Sequence, residues 1–196
     1  MHLYIVRHGE TDFNKAGVYL GRTDCSLNEQ GITQAKKIGC RLKKTKFDLV
    51  ISSPLKRCME TTKIITKREE KDILVEPRLM ELDFGKWEGL DFKKVKKDYP
   101  NSWKSWCKNW KHTTLPEGES FMDMYSRVRQ VVSNVILKRD DSKVLIVSHK
   151  GCLQAITTIL LNCDDKLFWN FSFEHGCYSV LEINQGHCTV KKLNYI

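Results

Sequence analysis

Short hydrophobic runs alternate with amphipathic stretches along most of the chain. Apolar runs predict buried strands at 3–6, 47–52, 73–75 and 143–148, and the turn Asn184-Gln185-Gly186 joins two further runs in a hairpin. Helical spacing predicts inward faces formed by Ile32, Ala35, Ile38 and Leu42; by Leu55, Cys58, Met59, Thr62 and Ile65; and by Phe121, Met124, Val128, Val131, Val132 and Val135. A further apolar helix is predicted at 151–161. This alternation predicts a three-layer α/β/α sandwich with a mainly parallel, mixed sheet and helices on both faces.

Polar residues predict where the helices begin and end. Ser26-Leu27-Asn28-Glu29 fits a capping box, and Ser53-Pro54 fits a capping serine followed by proline at the first helical position. The stretch 91–99 is predicted to be helical and to end at Pro100. Trp103, Trp106 and Trp110 follow at helical spacing, a pattern that favours packing over a ligand platform.

Length and composition limit the class of protein. The 196 residues predict one domain over 1–196, with a helical, Trp-rich lid segment at about 91–118. No run approaches the roughly 20 apolar residues of a membrane span. Since the first strand begins at Leu3 and leaves no room for a signal peptide, we expect a cytoplasmic protein. The eight cysteines include no Cys-x-x-Cys pair and are expected to be reduced thiols.

The chain is basic, with a net charge of +9 from 33 Lys and Arg against 24 Asp and Glu. Nucleic acid, an anionic surface or a small anionic substrate could each account for this charge. The lysines are dispersed, as in Lys43-Lys44 and Lys96-Lys97, and no nucleic-acid motif is evident. We therefore expect a solvated basic surface and a small anionic partner, with neither nucleic acid nor membrane, and the oligomeric state stays open.

Basic side chains follow three of the predicted strands. Arg7 and His8 end the first strand, Arg57 lies in the first turns after the second, and His149 ends the run at 143–148. Cationic groups at the carboxyl edge of one sheet need an anion between them, and two guanidinium groups suit a phosphoryl group. One of the two histidines, in its neutral form, could then attack phosphorus, with Glu81 as a candidate general acid for the departing alcohol.

Two other interpretations could explain the arginines and histidines at these strand ends. An Arg-His pair taken alone is more often a solvated strand end. A metal site is disfavoured, because no His-x-x-x-His or His-x-x-Glu-His pattern occurs and the adjacent arginine would oppose a cation.

The motif Arg7-His8-Gly9-Glu10-Thr11 resembles the signature of the histidine phosphatase superfamily, which includes the cofactor-dependent phosphoglycerate mutases. Four more motifs occur in the family's order: Ser52-Ser53-Pro54-Leu55-x-Arg57-x-x-x-Thr61, Glu81-x-x-Phe84-Gly85-x-Trp87-Glu88-Gly89, Pro116-x-Gly118-Glu119-Ser120 and Val147-Ser148-His149-x-Gly151. The resemblance implies that His8 is the phosphorylated nucleophile and Glu81 the proton donor. It further implies a phosphate pocket of Arg7, Asn14, Arg57 and His149, and neither metal nor cofactor.

Within the superfamily, the sequence is most similar to alpha-ribazole phosphatases of cobalamin nucleotide-loop assembly. The similarity includes Gly21-x-Thr23-Asp24 and the Trp-rich block from Tyr99 to Phe121. It implies that Gly21 and Arg22 add to the substrate pocket. Lys150 is a further candidate, which either contacts a second substrate anion or points into solvent. Lys150 replaces a glycine that is usual in the family, and Gln154 replaces a frequent arginine. Both departures bear on substrate identity.

Three alternatives to this specific phosphatase remain at this stage. A phosphoglycerate mutase would need 2,3-bisphosphoglycerate for turnover, and the short chain favours hydrolysis instead. A broad-specificity phosphatase would use the same residues on several small substrates. A non-catalytic phosphoanion-binding module is disfavoured, because His8 and Glu81 are both present.

Overall fold

A six-stranded sheet forms the centre of the protein, whose computed structural model describes residues 1–138 and 143–196. The strands are β1 (His2–Arg7), β2 (Leu49–Ser52), β3 (Leu74–Val75), β4 (Lys143–Ser148), β5 (Tyr178–Asn184) and β6 (His187–Tyr195). They lie in the order β3-β2-β4-β1-β5-β6. The first four strands of that order are mutually parallel, whereas β5 and β6 are antiparallel additions.

Helices cover both faces of this sheet. They are α1 (Asp12–Ala16), α2 (Glu29–Leu42), α3 (Lys56–Thr66), α4 (Phe92–Asp98), α5 (Pro100–Lys108), α6 (Phe121–Val131) and α7 (Lys150–Leu160). Strand residues alternate between two cores: Val144 and Ile146 pack with α6 and α7, whereas Leu145 and Val147 pack with α2 and α3. The predicted three-layer, mainly parallel fold is confirmed.

Two of the predicted helix starts are wrong. Helix α2 is capped by Asn28, whose side chain accepts from the Gly31 N–H at 2.8 Å, and not by Ser26. Helix α3 begins at Lys56, after a Leu55 cap that has no side-chain hydrogen bond. The Ser53 hydroxyl bonds the His149 ring instead, and the Lys56 N–H is satisfied by Asp24 from another loop at 2.7 Å. A local side chain two residues further along thus caps α2, whereas a tertiary partner replaces the local cap of α3.

The Trp-rich segment forms a small core of its own. Trp87, Val95 and Leu115 are its buried centre, and Trp103 and Trp106 stack on each other beside Trp87 with ring centroids 5.7 Å apart. Pro100 ends α4 as predicted, but it also begins α5, because proline fits the first turn of a helix. Trp110 lies beyond α5 and packs on Phe121, so packing accounts for much of this aromatic content.

The C-terminal hairpin of β5 and β6 has a tight turn. Gln185 and Gly186 both have positive φ, as a two-residue hairpin turn between β5 and β6 requires. Helix α6 gives way to a π-helical turn at Val132–Ile136. All eight cysteines are free thiols, and among residues 1–138 and 143–196 no helix is long and apolar enough to cross a membrane.

Candidate active site

The carboxyl ends of β1, β2 and β4 meet at one edge of the sheet. Arg7 pairs in register with Ser148, and Ser52 pairs with Val147. Immediately beyond these pairs, the His8 N–H donates to the Ser148 carbonyl at 3.0 Å. Strand register therefore brings the two predicted histidines together, with ring centroids 5.1 Å apart.

The ring of His8 has a defined tautomer. Its Nδ1 lies 2.7 Å from the Gly9 carbonyl, and a carbonyl only accepts, so Nδ1 carries the proton and Nε2 keeps its lone pair. His8 is 3% exposed. Burial, followed by the positive charge of Arg57, holds its pKa well below the ordinary histidine value. His8 is thus a neutral imidazole with one free nitrogen.

The guanidinium groups of Arg57 and Arg7 lie near this ring. Arg57 is fully buried and donates to the carbonyls of Thr23 at 2.7 Å and Gly21 at 2.6 Å, and the partly buried Arg7 donates to the Phe173 carbonyl at 3.0 Å. Within the described residues neither forms a salt bridge, and the buried Nε of each has no hydrogen-bond partner. Two cations with spare donors and no salt bridge are suited to an anion.

His149 closes the other side of the cluster. It is 1% exposed, and its Nε2 lies 2.9 Å from the Ser53 hydroxyl and 3.4 Å from the Cys58 thiol. Burial, followed by the charge of Arg57, holds its pKa well below the ordinary value. A bound anion would offset the positive potential that keeps both rings neutral.

The carboxylate of Glu81 is held by two backbone donors at the mouth of the cluster. One oxygen accepts from the Gly151 N–H at 2.9 Å and the other from the Leu82 N–H at 3.0 Å. Gly151 is required here by close approach, because a Cβ at this position would lie 2.5 Å from a Glu81 oxygen. Glu81 and the start of α7 therefore depend on each other for position.

Arg127 on α6 supports the Glu81 loop, and sequence reasoning missed it. Its guanidinium pairs with Glu119 in a bidentate manner at 2.7 and 2.9 Å and donates to the carbonyls of Arg78, Met80 and Glu81. Glu119 belongs to the motif Pro116-x-Gly118-Glu119-Ser120. Its carboxylate needs a cationic partner, and this was the one feature of the sequence that pointed to an arginine here. Nothing in the sequence indicated which arginine would supply it.

The other predicted pocket residues are placed as follows. The Asn14 side-chain carbonyl accepts from the Thr11 N–H and hydroxyl at 3.1 and 2.9 Å, which leaves its NH₂ group as the end available for donation. The backbone N–H groups of Gly21 and Arg22 donate to Glu88 at 2.9 and 2.7 Å. These amides are therefore engaged by a protein carboxylate, and Gly21 meets the cluster through its carbonyl on Arg57.

The Arg22 side chain makes its contacts elsewhere than its backbone N–H group, which binds Glu88. Its Nη1 lies 3.0 Å from the Met80 sulfur, and its Nη2 lies 3.7 Å from the Glu119 carboxylate. The structure thus places Arg22 beside the Glu119–Arg127 pair that supports the Glu81 loop.

A cavity of about 320 Å³ opens next to Glu81. Its lining is mostly aromatic and apolar, and it includes Lys150, Gly151 and Gln154 at one end. Aromatic rings contributed by three parts of the chain line it: Tyr19, Phe84, Trp106, Trp110, Phe121, Phe168 and Trp169. Gln154 is 3% exposed, and its amide donates to the carbonyls of Phe168 and Phe171 at 3.1 and 2.6 Å, which holds the wall carrying Trp169.

His175 is the second residue of the site that sequence reasoning missed. Its ring lies 5.3 Å from that of His8, and its Nδ1 donates to the His8 carbonyl at 2.6 Å. No motif marks it. The only signal was topological, because an antiparallel strand beside β1 brings the residues that precede it to the carboxyl end of β1.

The described residues contain no group of three or more His, Cys, Asp or Glu side chains arranged to hold a metal ion. The histidines of the cluster are accompanied by arginines, which is the donor set of an anion site.

Comparisons with known proteins agree with this geometry. A sequence model of the histidine phosphatase superfamily (branch 1) matches residues 3–196. The adenosylcobalamin/alpha-ribazole phosphatase of Salmonella typhimurium strain LT2 is 34% identical over 194 residues, covering 99% of this chain and 96% of that protein. Phosphoserine phosphatase 1 of Hydrogenobacter thermophilus is 32% identical over 192 residues, covering 98% and 91%.

Solved structures give the same result. The crystal structure of the alpha-ribazole phosphatase from Shigella flexneri superimposes with a TM-score of 0.93 at 31% identity, covering 99% of this chain and 96% of that one. The family predicted from the five motifs is confirmed. A match to the family model over 3–196, together with relatives above 30% identity along nearly their whole length, shows that this chain belongs to branch 1 of the histidine phosphatase superfamily.

Proposed function

We propose that this protein is a metal-independent phosphomonoesterase that forms a phosphohistidine at His8, with alpha-ribazole 5′-phosphate as its substrate. The observation that carries the chemistry is His8 itself, a neutral ring with its Nε2 lone pair free, near the guanidinium groups of Arg57 and Arg7, each of which has an unpartnered Nε. That arrangement provides a nucleophile and the positive potential that holds a phosphoryl dianion beside it.

The reaction proceeds in two displacements. The Nε2 lone pair of His8 attacks phosphorus, the P–O ester bond breaks, and Glu81 gives a proton to the departing alcohol oxygen. A water molecule then attacks the phosphohistidine, the P–N bond breaks, and Glu81 takes a proton from that water, which restores the enzyme and releases orthophosphate. Arg7, Arg57, His149 and the Asn14 amide donate to the phosphoryl oxygens.

The aromatic cavity provides the site for the alcohol part of the substrate. It adjoins Glu81, so an ester oxygen at that carboxyl places the rest of the molecule between Trp106, Trp110 and Trp169. The benzimidazole base of alpha-ribazole is a flat aromatic group, and aromatic walls favour it through stacking and burial. In this proposal the segment at about 91–118 is the lid over the substrate, and it contributes Trp106 and Trp110.

Substrate selectivity tests this assignment. With EDTA present, we expect kcat/KM for alpha-ribazole 5′-phosphate to exceed that for phosphoserine, 3-phosphoglycerate, a sugar phosphate and p-nitrophenyl phosphate by about 100-fold, because only the first fills the aromatic cavity. Similar, weak rates across the panel would refute this substrate while retaining the chemistry. Turnover of 3-phosphoglycerate that requires 2,3-bisphosphoglycerate would identify a mutase instead.

A matched pair of tryptophan variants links the selectivity to the cavity. Trp106 lines the cavity, whereas its stacking partner Trp103 packs only in the Trp87 core. We expect Trp106→Leu to lower kcat/KM for alpha-ribazole 5′-phosphate about tenfold more than that for p-nitrophenyl phosphate. Trp103→Leu should lower thermal stability without this selective effect, and equal losses on both substrates in both variants would refute the cavity assignment.

Phosphoserine is the second candidate substrate, and Lys150 is the observation that favours it. This exposed lysine lines the cavity one residue beyond His149, where its ammonium group could pair with the carboxylate of a small phosphorylated acid. The 32% identical phosphoserine phosphatase adds support.

The Lys150→Gly variant distinguishes the two candidates. If the substrate carries a carboxylate, the variant should raise KM for phosphoserine about tenfold and leave p-nitrophenyl phosphate unchanged, because one partly exposed ion pair is lost. If alpha-ribazole 5′-phosphate is the substrate, its kcat/KM should change less than threefold. Measuring kcat and KM for all three substrates separates these outcomes.

A further inference from the structure

His175 lies in the segment just before β5, at a position fixed by the sheet. Strand β5 runs antiparallel to β1 with Tyr178 opposite Val6, so the residues that precede β5 pass over the carboxyl end of β1. This places the His175 ring 5.3 Å from the His8 ring, centroid to centroid. The contact is therefore a consequence of topology rather than of an adjustable surface side chain.

The peptide unit between His8 and Gly9 is held at both of its polar ends. Its carbonyl accepts from the Nδ1 of His175 at 2.6 Å, and its N–H donates to the Thr61 hydroxyl oxygen at 3.0 Å. The Thr61 hydroxyl in turn donates to the Arg57 carbonyl at 2.7 Å. Two side chains from separate parts of the fold thus fix the rotation of one peptide plane, which neither could do alone.

The Gly9 carbonyl belongs to the following peptide unit, whose N–H, that of Glu10, donates to the Gln34 side-chain oxygen at 2.9 Å. Where this carbonyl points therefore depends on both peptide planes, and the His8–Gly9 plane is the one that His175 holds. The Gly9 carbonyl accepts the Nδ1 proton of His8 at 2.7 Å, and this bond leaves Nε2 free. If the His8–Gly9 peptide turned, the Gly9 carbonyl would swing away, and glycine imposes little resistance of its own to such a change. The other neutral tautomer, with its proton on Nε2, would then compete.

We propose that His175 is a positioning residue, whose Nδ1–H holds the His8 carbonyl and thereby keeps the Gly9 carbonyl on His8 Nδ1. The importance of this bond for turnover rests on the proposed function, in which His8 Nε2 attacks phosphorus. The bond itself does not depend on that function. His175 touches neither substrate nor the reacting atoms in this role, and acts through the His8 tautomer.

The surroundings of His175 keep it in the required form. The charged groups that face it are Arg7 on β1, Glu10 in the following loop and Glu174 beside it. Burial, followed by Arg7, lowers the pKa of His175 to about 4, so the ring is neutral near pH 7. A neutral ring that donates through Nδ1 adds no further positive charge next to His8.

The test compares His175→Asn with His175→Leu. The Asn side-chain amide can place a donor where Nδ1 stands, whereas Leu has a similar branched shape and no donor. We expect His175→Leu to form the phosphoenzyme roughly tenfold more slowly in rapid-quench experiments with KM little changed, and His175→Asn to stay within about threefold of the parent protein. His187→Leu, on the exposed start of β6, is the matched control.

A second readout follows the tautomer directly. In ¹⁵N-labelled protein, the parent and His175→Asn should show His8 as the Nδ1–H tautomer, and His175→Leu should show a mixture. An unchanged rate or an unchanged tautomer in His175→Leu would overturn the proposal, as would equal rate losses in both variants. If His175→Leu does not fold, His175→Phe, which keeps a flat ring and also has no donor, replaces it under the same criteria. Failure of the parent protein to form phosphohistidine would refute the proposed function, and the tautomer comparison would still test His175.

Discussion

Replacing His8 by Asn is expected to abolish phosphoenzyme formation and to lower kcat at least about 10⁴-fold, because the variant has no nucleophilic nitrogen. Asn is the sharpest replacement, since its amide can still donate to the Gly9 carbonyl in place of Nδ1 and disturbs the loop least. The arginines remain, so binding of orthophosphate, measured by calorimetry, should persist. Binding without turnover would separate the role of His8 from that of the anion pocket.

The role of His8 as nucleophile also predicts how the activity of the parent protein depends on pH. Because burial and the neighbouring arginines hold the pKa of His8 well below 6.5, the attacking nitrogen stays unprotonated as the pH falls through the range where a free histidine gains its proton. The acid limb of kcat/KM, which reports the enzyme free of substrate, should therefore lie below pH 6.5. An acid limb at or above pH 6.5, or a His8→Asn protein with more than a thousandth of the parent kcat, would contradict the assignment.

The fold and the centre of the site were predictable because both follow from patterns among residues that are close together in the sequence. Alternation of strands and helices predicts parallel β1, β2 and β4, and parallel strands bring their carboxyl ends together. Arg7, His8, Arg57 and His149 follow those strands directly. Their proximity could therefore be predicted from the order of the strands and helices, without knowledge of how the side chains pack.

The supporting residues were not predictable for the opposite reason. Arg127 reaches the Glu81 loop from α6, and His175 reaches His8 from the segment before β5. Each depends on contacts more than 40 residues apart along the chain, for which no local pattern exists. The helix caps failed similarly: Ser53 fits a capping position, but the buried ring of His149 needed its hydroxyl.

Gly21 and Arg22 illustrate a subtler difference between motif and structure. A loop with free backbone N–H groups is a common anion site, and these residues were expected to contact substrate. Their amides instead bind the Glu88 carboxylate, which holds the loop so that the Gly21 and Thr23 carbonyls reach Arg57. The backbone N–H groups of the loop are thus occupied by Glu88, and its carbonyls hold the Arg57 guanidinium in place.

Replacing Glu81 by Gln is expected to lower kcat about 10²- to 10⁴-fold for an alkyl phosphate such as alpha-ribazole 5′-phosphate, because an amide cannot protonate the departing alkoxide. The loss should be about tenfold or less for p-nitrophenyl phosphate, whose leaving group needs little protonation. The Gln amide also faces an N–H donor, from either Gly151 or Leu82, so one of the two present hydrogen bonds is lost. The dependence on leaving group separates lost acid catalysis from this local disturbance.

Gly151→Ala tests the same acid without altering it. The added methyl group would lie 2.5 Å from the Glu81 carboxylate oxygen, and the carboxylate is the part that can move. We expect roughly tenfold slower turnover of the alkyl phosphate and little change for p-nitrophenyl phosphate, since a misplaced acid costs most where protonation is needed. Gly39→Ala in helix α2, where an added Cβ would come no closer than 3.3 Å to its neighbours, controls for the loss of a helical glycine. Equal losses on both substrates in Glu81→Gln and Gly151→Ala would mean that Glu81 shapes the pocket rather than donating the proton, and the acid would then have to be sought elsewhere on the cavity wall.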